Sequence, residues 1–217
     1  MIIRNRFLAL AYRVLALGIL LLLIVVYFRS PIETYVAFSY FGVLVSFMLA
    51  LLFFLEVIFN AIDLRRGMKG VPAGVSMHFA LSVVCFSMEA SIGHFISVAL
   101  HGNTSLSETL FYLALFFLPL GDWLMFDEKG TVRFYISFTS QIVPIFYGIF
   151  SVFRAIIWPN APLKDGAMYP YPFLDPYSAW FWPGCLIVFV SLLLFTMLII
   201  FLNNLLSLKY RKAKIRY

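Results

Sequence analysis

The stretch CLIVFVSLLLFTMLIIFL, residues 185–202, contains no charged side chain and decides the class of this protein. An α-helix needs about 20 apolar residues to cross the hydrocarbon core of a bilayer. The apolar character continues on both sides of the stretch, so we predict a spanning helix over residues 179–206. A helix of that length is longer than the bilayer core requires, which it accommodates by tilting or by projecting into water.

The whole chain has the same character. Of its 217 residues, 63% are hydrophobic and 12% are charged. Soluble domains carry about a quarter charged residues, and one water-excluded core cannot bury this much apolar surface. The alternating pattern of an outer-membrane strand is missing from the sequence. We therefore predict an all-α, polytopic membrane protein, a six-helix bundle that forms a single transmembrane domain over residues 1–217.

Six apolar runs are long enough to span a bilayer. The first begins like a signal peptide, with Arg4 and Arg6 before it, but it lacks a small-x-small cleavage site and is predicted to remain as a helix. The longest connection, residues 158–178, holds five prolines and is predicted to be an ordered or extended loop. The predicted spans are residues 7–28, 35–59, 75–100, 109–126, 134–157 and 179–206.

The distribution of Lys and Arg predicts the orientation of these spans. One side holds only Arg29 and Lys164, whereas the other holds twelve basic residues: Arg4, Arg6, Arg65, Arg66, Lys69, Lys129, Arg133, Lys209, Arg211, Lys212, Lys214 and Arg216. Cytoplasmic segments are enriched in Lys and Arg, so both termini are predicted to be cytoplasmic. The same distribution explains the net charge of +6. We expect membrane lipids as partners, and no nucleic acid.

Ionisable side chains inside the spans are the first functional candidates, because such groups are costly in a bilayer. Arg13, Glu56 and Asp122 fall near the cytoplasmic ends of their spans, at a rise of about 1.5 Å per residue. We expect Arg13 to pair with Glu56 or Asp122, or all three to reach the interface, with a proton or ion relay as the alternative. Glu89 lies near mid-membrane, with His94 five residues further on. These two residues fit a hydrogen-bonded cluster or a catalytic acid–base pair.

A second group of candidates lies at the outer end of the fifth span. The guanidinium of Arg154 is expected to reach lipid headgroups, Asp175 or a ligand carboxylate. Cys85 and Cys185 lie in apolar runs without metal-ligand spacing, so no metal or cofactor is expected. Three tyrosines near Arg154 fit either an aromatic belt or the lining of a site: Tyr147, Tyr169 and Tyr171.

Several motifs in the second half of the chain resemble a known family. The segment DWLMFDEKG at residues 122–130 is followed by PIFY at 144–147, by Arg154 and by YPYPFLD at 169–175. Together with a weaker match, FSYF at 38–41, they resemble the bacterial branch of a six-span membrane family, which implies a prokaryotic cytoplasmic membrane. That family is related to the androgen-induced-gene and androgen-dependent TFPI-regulating proteins.

The resemblance implies a lipid chemistry. The animal members are membrane threonine hydrolases that cleave fatty acid esters of hydroxy fatty acids, with a Thr in the second span as nucleophile and a His in the fourth span. A hydroxyl becomes nucleophilic when a base lies beside it. The positions in this chain that match the family's Thr and His are Gly42 and Tyr112. Ser39, one helical turn from Gly42, and His94 are the candidates to replace that pair.

We therefore expect an outward-facing site for a fatty acid or lipid ester, in a divergent or inactive ester hydrolase. Two alternatives stay open. One is a small transporter subunit or permease that uses Glu89 and a helix discontinuity at Pro144. The other is a non-catalytic scaffold whose polar side chains hold the helices together. The candidate catalytic residues are Ser39, Glu89 and His94, and the candidate substrate-binding residues are Tyr112, Tyr147, Arg154, Tyr169, Tyr171 and Asp175.

Overall fold

The computed structural model describes residues 5–29, 34–67, 75–102, 104–127, 129–130, 132–159, 163 and 166–214. Regular structure in these ranges is helical throughout. Four of the basic residues used to predict the orientation lie outside the described residues: Arg4, Lys69, Lys164 and Arg216. The cytoplasmic location of the termini therefore stays a prediction.

Six helical segments of the described chain are long and apolar enough to cross a membrane, which confirms the predicted number of spans. In chain order the helices are α1 (Arg6–Arg29), α2 (Thr34–Ala37), α3 (Phe41–Arg65), α4 (Met77–His101), α5 (Leu106–Met125), α6 (Ile136–Ser140), α7 (Ile142–Ile157) and α8 (Phe181–Lys214). Segments α6 and α7 together form the fifth span. A short 3₁₀ helix, Pro172–Leu174, precedes α8.

The second and fifth spans differ from the sequence-based boundaries. Residues 38–40 separate α2 from α3, so the second spanning helix begins at Phe41 rather than at residue 35. It ends at Arg65, and Gly67 follows with a φ of +64°, as glycine does past a helix C-terminus. The fifth span is interrupted at Gln141. Pro144 explains the break, since its ring lacks an N–H and crowds the carbonyl of Ser140, four residues earlier.

The described chain forms two compact units, and the first comprises Met1–Pro31 and Gly42–Lys129. In this unit α5 packs against both α1 and α4. The approach of α1 to α5 depends on Gly121, where a Cβ would collide with the hydroxyl of Tyr12. That hydroxyl donates to the Leu118 carbonyl at 2.8 Å. The contact sets the start of α1 beside the end of α5.

The second unit comprises Ile32–Phe41 and Gly130–Tyr217. Here α8 holds its partners through polar side chains. The carboxamide of Asn204 accepts from the backbone N–H of Val132 and donates to the Val132 carbonyl, both at 2.8 Å. Asn203 donates to the Gly130 carbonyl at 2.8 Å. These three hydrogen bonds fix the segment before α6 to the C-terminal half of α8.

The surface of α8 carries a row of exposed apolar side chains. Leu186, Leu194 and Leu198 are 63%, 59% and 50% exposed in the isolated chain. Water does not favour such a run of exposed leucines, because each exposed apolar side chain costs about 1.5–3 kcal/mol relative to burial. Such a face suits contact with lipid, which is consistent with an integral membrane protein.

Candidate functional site

The first group of candidate residues lies where α4 ends and α5 begins, inside the first unit. Helix α4 terminates at Gly102, which has a φ of 77° and closes the helix with a left-handed turn. Helix α5 begins with a capping box in which Ser105 and Glu108 satisfy each other's backbone N–H groups. The short connection turns the chain back on itself, so the last turns of α4 lie beside the first turns of α5.

His94 is the central side chain of this group. Its imidazole stacks on the ring of Tyr112, with ring centroids 3.8 Å apart and planes tilted by 11°. The Nε2 atom lies 3.5 Å from the hydroxyl oxygen of Thr104. Thr104 in turn donates to a carboxylate oxygen of Glu108 at 3.4 Å. The structure thus sets a half-buried imidazole beside an exposed hydroxyl at the end of the helices.

Tyr112 is positioned by Gly42. A Cβ at Gly42 would lie 2.6 Å from the Tyr112 hydroxyl oxygen, so the ring occupies the space that any larger residue at position 42 would need. The two positions that the family resemblance aligns with Thr and His are therefore in contact in this chain. They form a complementary small–large pair rather than a nucleophile and a base.

Glu89 lies on α4, five residues before His94. It is 9% exposed, whereas His94 is half-buried. Five residues correspond to a rotation of about 140° on a helix, so the two side chains leave α4 in different directions. Their use as a direct acid–base pair, one of the two sequence-based interpretations, gains no support from this geometry.

The second group lies in the second unit and surrounds Tyr147. The hydroxyl of this residue donates to the backbone carbonyl of Ser39 at 2.7 Å. The Tyr147 ring lies 5.1 Å from that of Phe41 and 6.4 Å from that of Tyr171. Tyr171 also stacks on Phe173 at 5.6 Å. Burial raises the pKa of Tyr171 to about 12, so its hydroxyl stays protonated at neutral pH.

Arg154 belongs to the same unit and fastens the proline-rich loop. Its side chain is 4% exposed, and its Nη1 donates to the Met168 carbonyl at 3.0 Å. Asp175 accepts the backbone N–H of Tyr177 at 3.0 Å and stabilises the turn that follows the 3₁₀ helix. Tyr169, in the same loop, is half-buried, and burial and the charge of Asp175 raise its pKa. These contacts hold the loop in place.

A cluster of charged residues, Arg13, Glu56, Asp122 and Asp127, lies at the other end of α5 in the first unit. Arg13 binds Asp122 with two hydrogen bonds, Nε to Oδ1 at 2.9 Å and Nη2 to Oδ2 at 3.1 Å. Its Nη2 also donates to Asp127 at 3.1 Å, and its Nε lies 3.3 Å from Glu56. The predicted pairing of Arg13 with Glu56 or Asp122 is confirmed, and Arg13 contacts both. One carboxylate oxygen from each of the three acids lies within 4.8 Å of the other two, a spacing that suits a metal ion, but the guanidinium already contacts all three carboxylates.

Sequence reasoning missed three residues of these groups. Thr104 was not considered because it lies in a link rather than a span, although the Ser105–Glu108 capping pattern places it at the start of a helix. Asp127 and Lys129 lie just beyond α5, and neither the motif that contains them nor the charge distribution identifies their partners. The packing of α1 against α5 is what brings Arg13 to Asp127. Lys129 donates to the Trp123 carbonyl and lies 4.3 Å from the centre of the Trp123 ring.

Comparison with known proteins yields no match to a family model, to a curated protein or to a solved structure.

Proposed function

We propose that this integral membrane protein binds a fatty acid ester of a membrane lipid and hydrolyses it at His94 and Thr104. The observation that carries the proposal is the separation of 3.5 Å between His94 Nε2 and the Thr104 hydroxyl oxygen. A hydroxyl beside an imidazole is the arrangement that makes a weak nucleophile reactive. Such hydrogen bonds are often long without substrate and shorten when it binds.

The surroundings of His94 suit an amphiphilic substrate. Ile96, Leu106 and Leu110, on the same ends of α4 and α5, are 55%, 76% and 45% exposed. A lipid ester in the bilayer would place its acyl chain along such apolar side chains and its ester at the polar end of the helices. The resemblance to membrane ester hydrolases supports the same substrate class.

The proposed reaction has two steps. The Thr104 hydroxyl oxygen attacks the ester carbonyl carbon while its proton passes to His94 Nε2, and the alcohol leaves with that proton. Water then attacks the threonyl ester, again giving a proton to His94, and the fatty acid is released as Thr104 recovers its proton. The single proton of the Thr104 hydroxyl can be directed to Glu108 Oε2, 3.4 Å away, or to His94 Nε2, and the reaction uses the second arrangement. Stacking on Tyr112 fixes the plane of the imidazole.

This assignment places the nucleophile at Thr104 instead of Ser39. Ser39 is 3% exposed and belongs to the second unit, where its carbonyl accepts from Tyr147. Arg154, proposed from the sequence as a carboxylate anchor, is assigned the role of fastening the proline-rich loop. Both termini are proposed to be cytoplasmic, so the His94 end of the helices would face outward.

Hydrolysis by purified protein in lipid nanodiscs tests the proposal. Fatty acid esters of hydroxy fatty acids and p-nitrophenyl esters of long-chain acids serve as substrates. We expect Thr104→Ala and His94→Gln each to lower the rate by about 100-fold or more. Ser191→Ala removes an exposed hydroxyl on α8 that bonds only locally, and it should keep the full rate. Equal rates in wild type and Thr104→Ala would rule out the assigned nucleophile.

A transporter subunit or permease is the second candidate function, and the break between α6 and α7 favours it. Interrupted helices commonly line substrate sites in transporters. Gln141, at the break, is 1% exposed, and its Oε1 has no hydrogen-bond partner in the described part of the chain. Labelling of Gln141→Cys by membrane-impermeant thiol reagents from both sides of the membrane would support transport. No labelling from either side would remove this candidate.

A further inference from the structure

We infer that Arg13, Glu56, Asp122 and Asp127 form a proton-binding site, which takes one proton from the adjoining aqueous phase through Asp127. The site lies at the opposite end of α5 from His94 and is independent of the proposed hydrolysis. The reaction is a simple protonation, in which a hydronium ion gives its proton to a carboxylate oxygen and leaves as water.

The charge of the cluster requires the proton. With every described group ionised, three carboxylates face Arg13 and the ammonium of Lys129, which leaves one surplus negative charge. The side chains of Arg13, Glu56 and Asp122 are 2%, 7% and 5% exposed. A surplus charge that is shielded from water costs several kcal/mol, and protonation of one carboxylate removes it.

An unsatisfied oxygen points to the same ligand. Glu56 Oε2 is buried and has no hydrogen-bond donor among the described residues, although it lies 3.3 Å from Arg13 Nε. That Nε–H is already donated to Asp122 Oδ1 at 2.9 Å. A hydroxyl on a neighbouring carboxyl group is the donor that this oxygen lacks, and Asp122 and Asp127 each place one carboxylate oxygen within 4.8 Å of a Glu56 carboxylate oxygen.

Asp127 is the entry point for the proton. Its side chain is 23% exposed, the most accessible of the three acids, and it follows the end of α5. Burial, with the charge of Asp122 adding to it, raises the pKa of Asp127 to about 7, against the lowering effect of Arg13 and Lys129. Burial lowers the pKa of Lys129 to about 8.

Among the described residues, the groups that face the site come from three helices and from the segment after α5. Helix α1 supplies Arg13 and Tyr12, α3 supplies Glu56, and α5 supplies Asp122. The segment after α5 supplies Asp127 itself and Lys129. A divalent cation is disfavoured at this position because the guanidinium holds the carboxylates from within and the ammonium lies nearby. Arg13 joins α1 to both α3 and α5, so the proposed proton site lies where three helices meet.

Infrared titration of full-length protein in nanodiscs tests the inference. Aspartate labelled with ¹³C in the carboxyl group identifies the Asp carboxylic acid band by its isotope shift. In wild type we expect an Asp band that disappears with a midpoint near the pKa of about 7. Asp127→Asn should abolish it, whereas Asp63→Asn, which removes a carboxylate paired with Arg6 in the same unit, should leave it unchanged.

Three results would overturn the inference. One is the absence of any labelled acid that titrates near neutral pH in wild type, which decides the question even if a variant does not fold. Another is a band that persists in Asp127→Asn. The third is a midpoint that Mg²⁺ displaces relative to a sample in EDTA, which would assign the cluster to a metal ion.

Discussion

Two single residues show how burial constrains the choice of side chain in this protein. Arg13 is 1% exposed and is accommodated because it meets three carboxylates. Removal of one partner from such a cluster leaves an uncompensated buried charge, which is more damaging than loss of a surface ion pair. Gly42 is constrained in the opposite way, because the ring of Tyr112 fills the space beside it.

The pH dependence of stability is predicted from Asp127. Its pKa rises from an ordinary 3.8 to about 7 in the folded protein. Between these values the folded state binds more protons than the unfolded state, so stability falls as pH rises through this window and levels off above about 7. Asp127→Asn should remove this pH dependence. The melting temperature of the variant minus that of wild type should therefore be a few degrees higher at pH 8 than at pH 5. Scanning fluorimetry in detergent measures both curves, and parallel curves would contradict the prediction.

The Gly42–Tyr112 contact predicts a second effect. Gly42→Ala should destabilise the protein by about 1–3 kcal/mol, because the new Cβ must displace a packed ring. Gly18→Ala is the matched control, since nothing lies within 4 Å of a Cβ at that position. There the substitution should stabilise α1 by about 0.5–1 kcal/mol. The cost of Gly42→Ala should shrink in a Tyr112→Ala background, and denaturant titrations that give equal effects at both glycines would refute this account.

At the scale of elements, the helices follow from composition and their ends follow from local chemistry. The six spans could be predicted because 20-residue apolar runs have few other structures available in lipid. The start of α3 at Phe41 could not be read from hydropathy, since the preceding residues are also apolar. The break at Gln141 was foreseeable from Pro144. The partnership of His94 with Thr104, and of Arg13 with Asp127, required knowledge of which helices pack together.

The attachment of α8 to the segment before α6 gives an element-scale prediction. Asn204→Leu should leave the N–H and carbonyl of Val132, a residue only 3% exposed, without their partners. An unsatisfied buried backbone group costs about 1–3 kcal/mol. We expect faster hydrogen exchange at Val132 and its neighbours, with little change at Ser191→Ala on the same helix. Unchanged exchange in Asn204→Leu would show that this attachment is not needed.

At the scale of the whole molecule, the first unit carries chemistry at both ends of α5. One end offers an imidazole and a hydroxyl, and the other offers a buried charge cluster with one surplus acid. We therefore propose lipid-ester hydrolysis at one end and proton binding at the other.

The most direct test of the central claim is native mass spectrometry with lipid extraction, on gently purified wild type and His94→Gln. We expect wild type to carry its hydrolysis product, a free fatty acid, and His94→Gln to retain the intact ester. The same lipids in the same amounts in both proteins would contradict a lipid-ester site at His94.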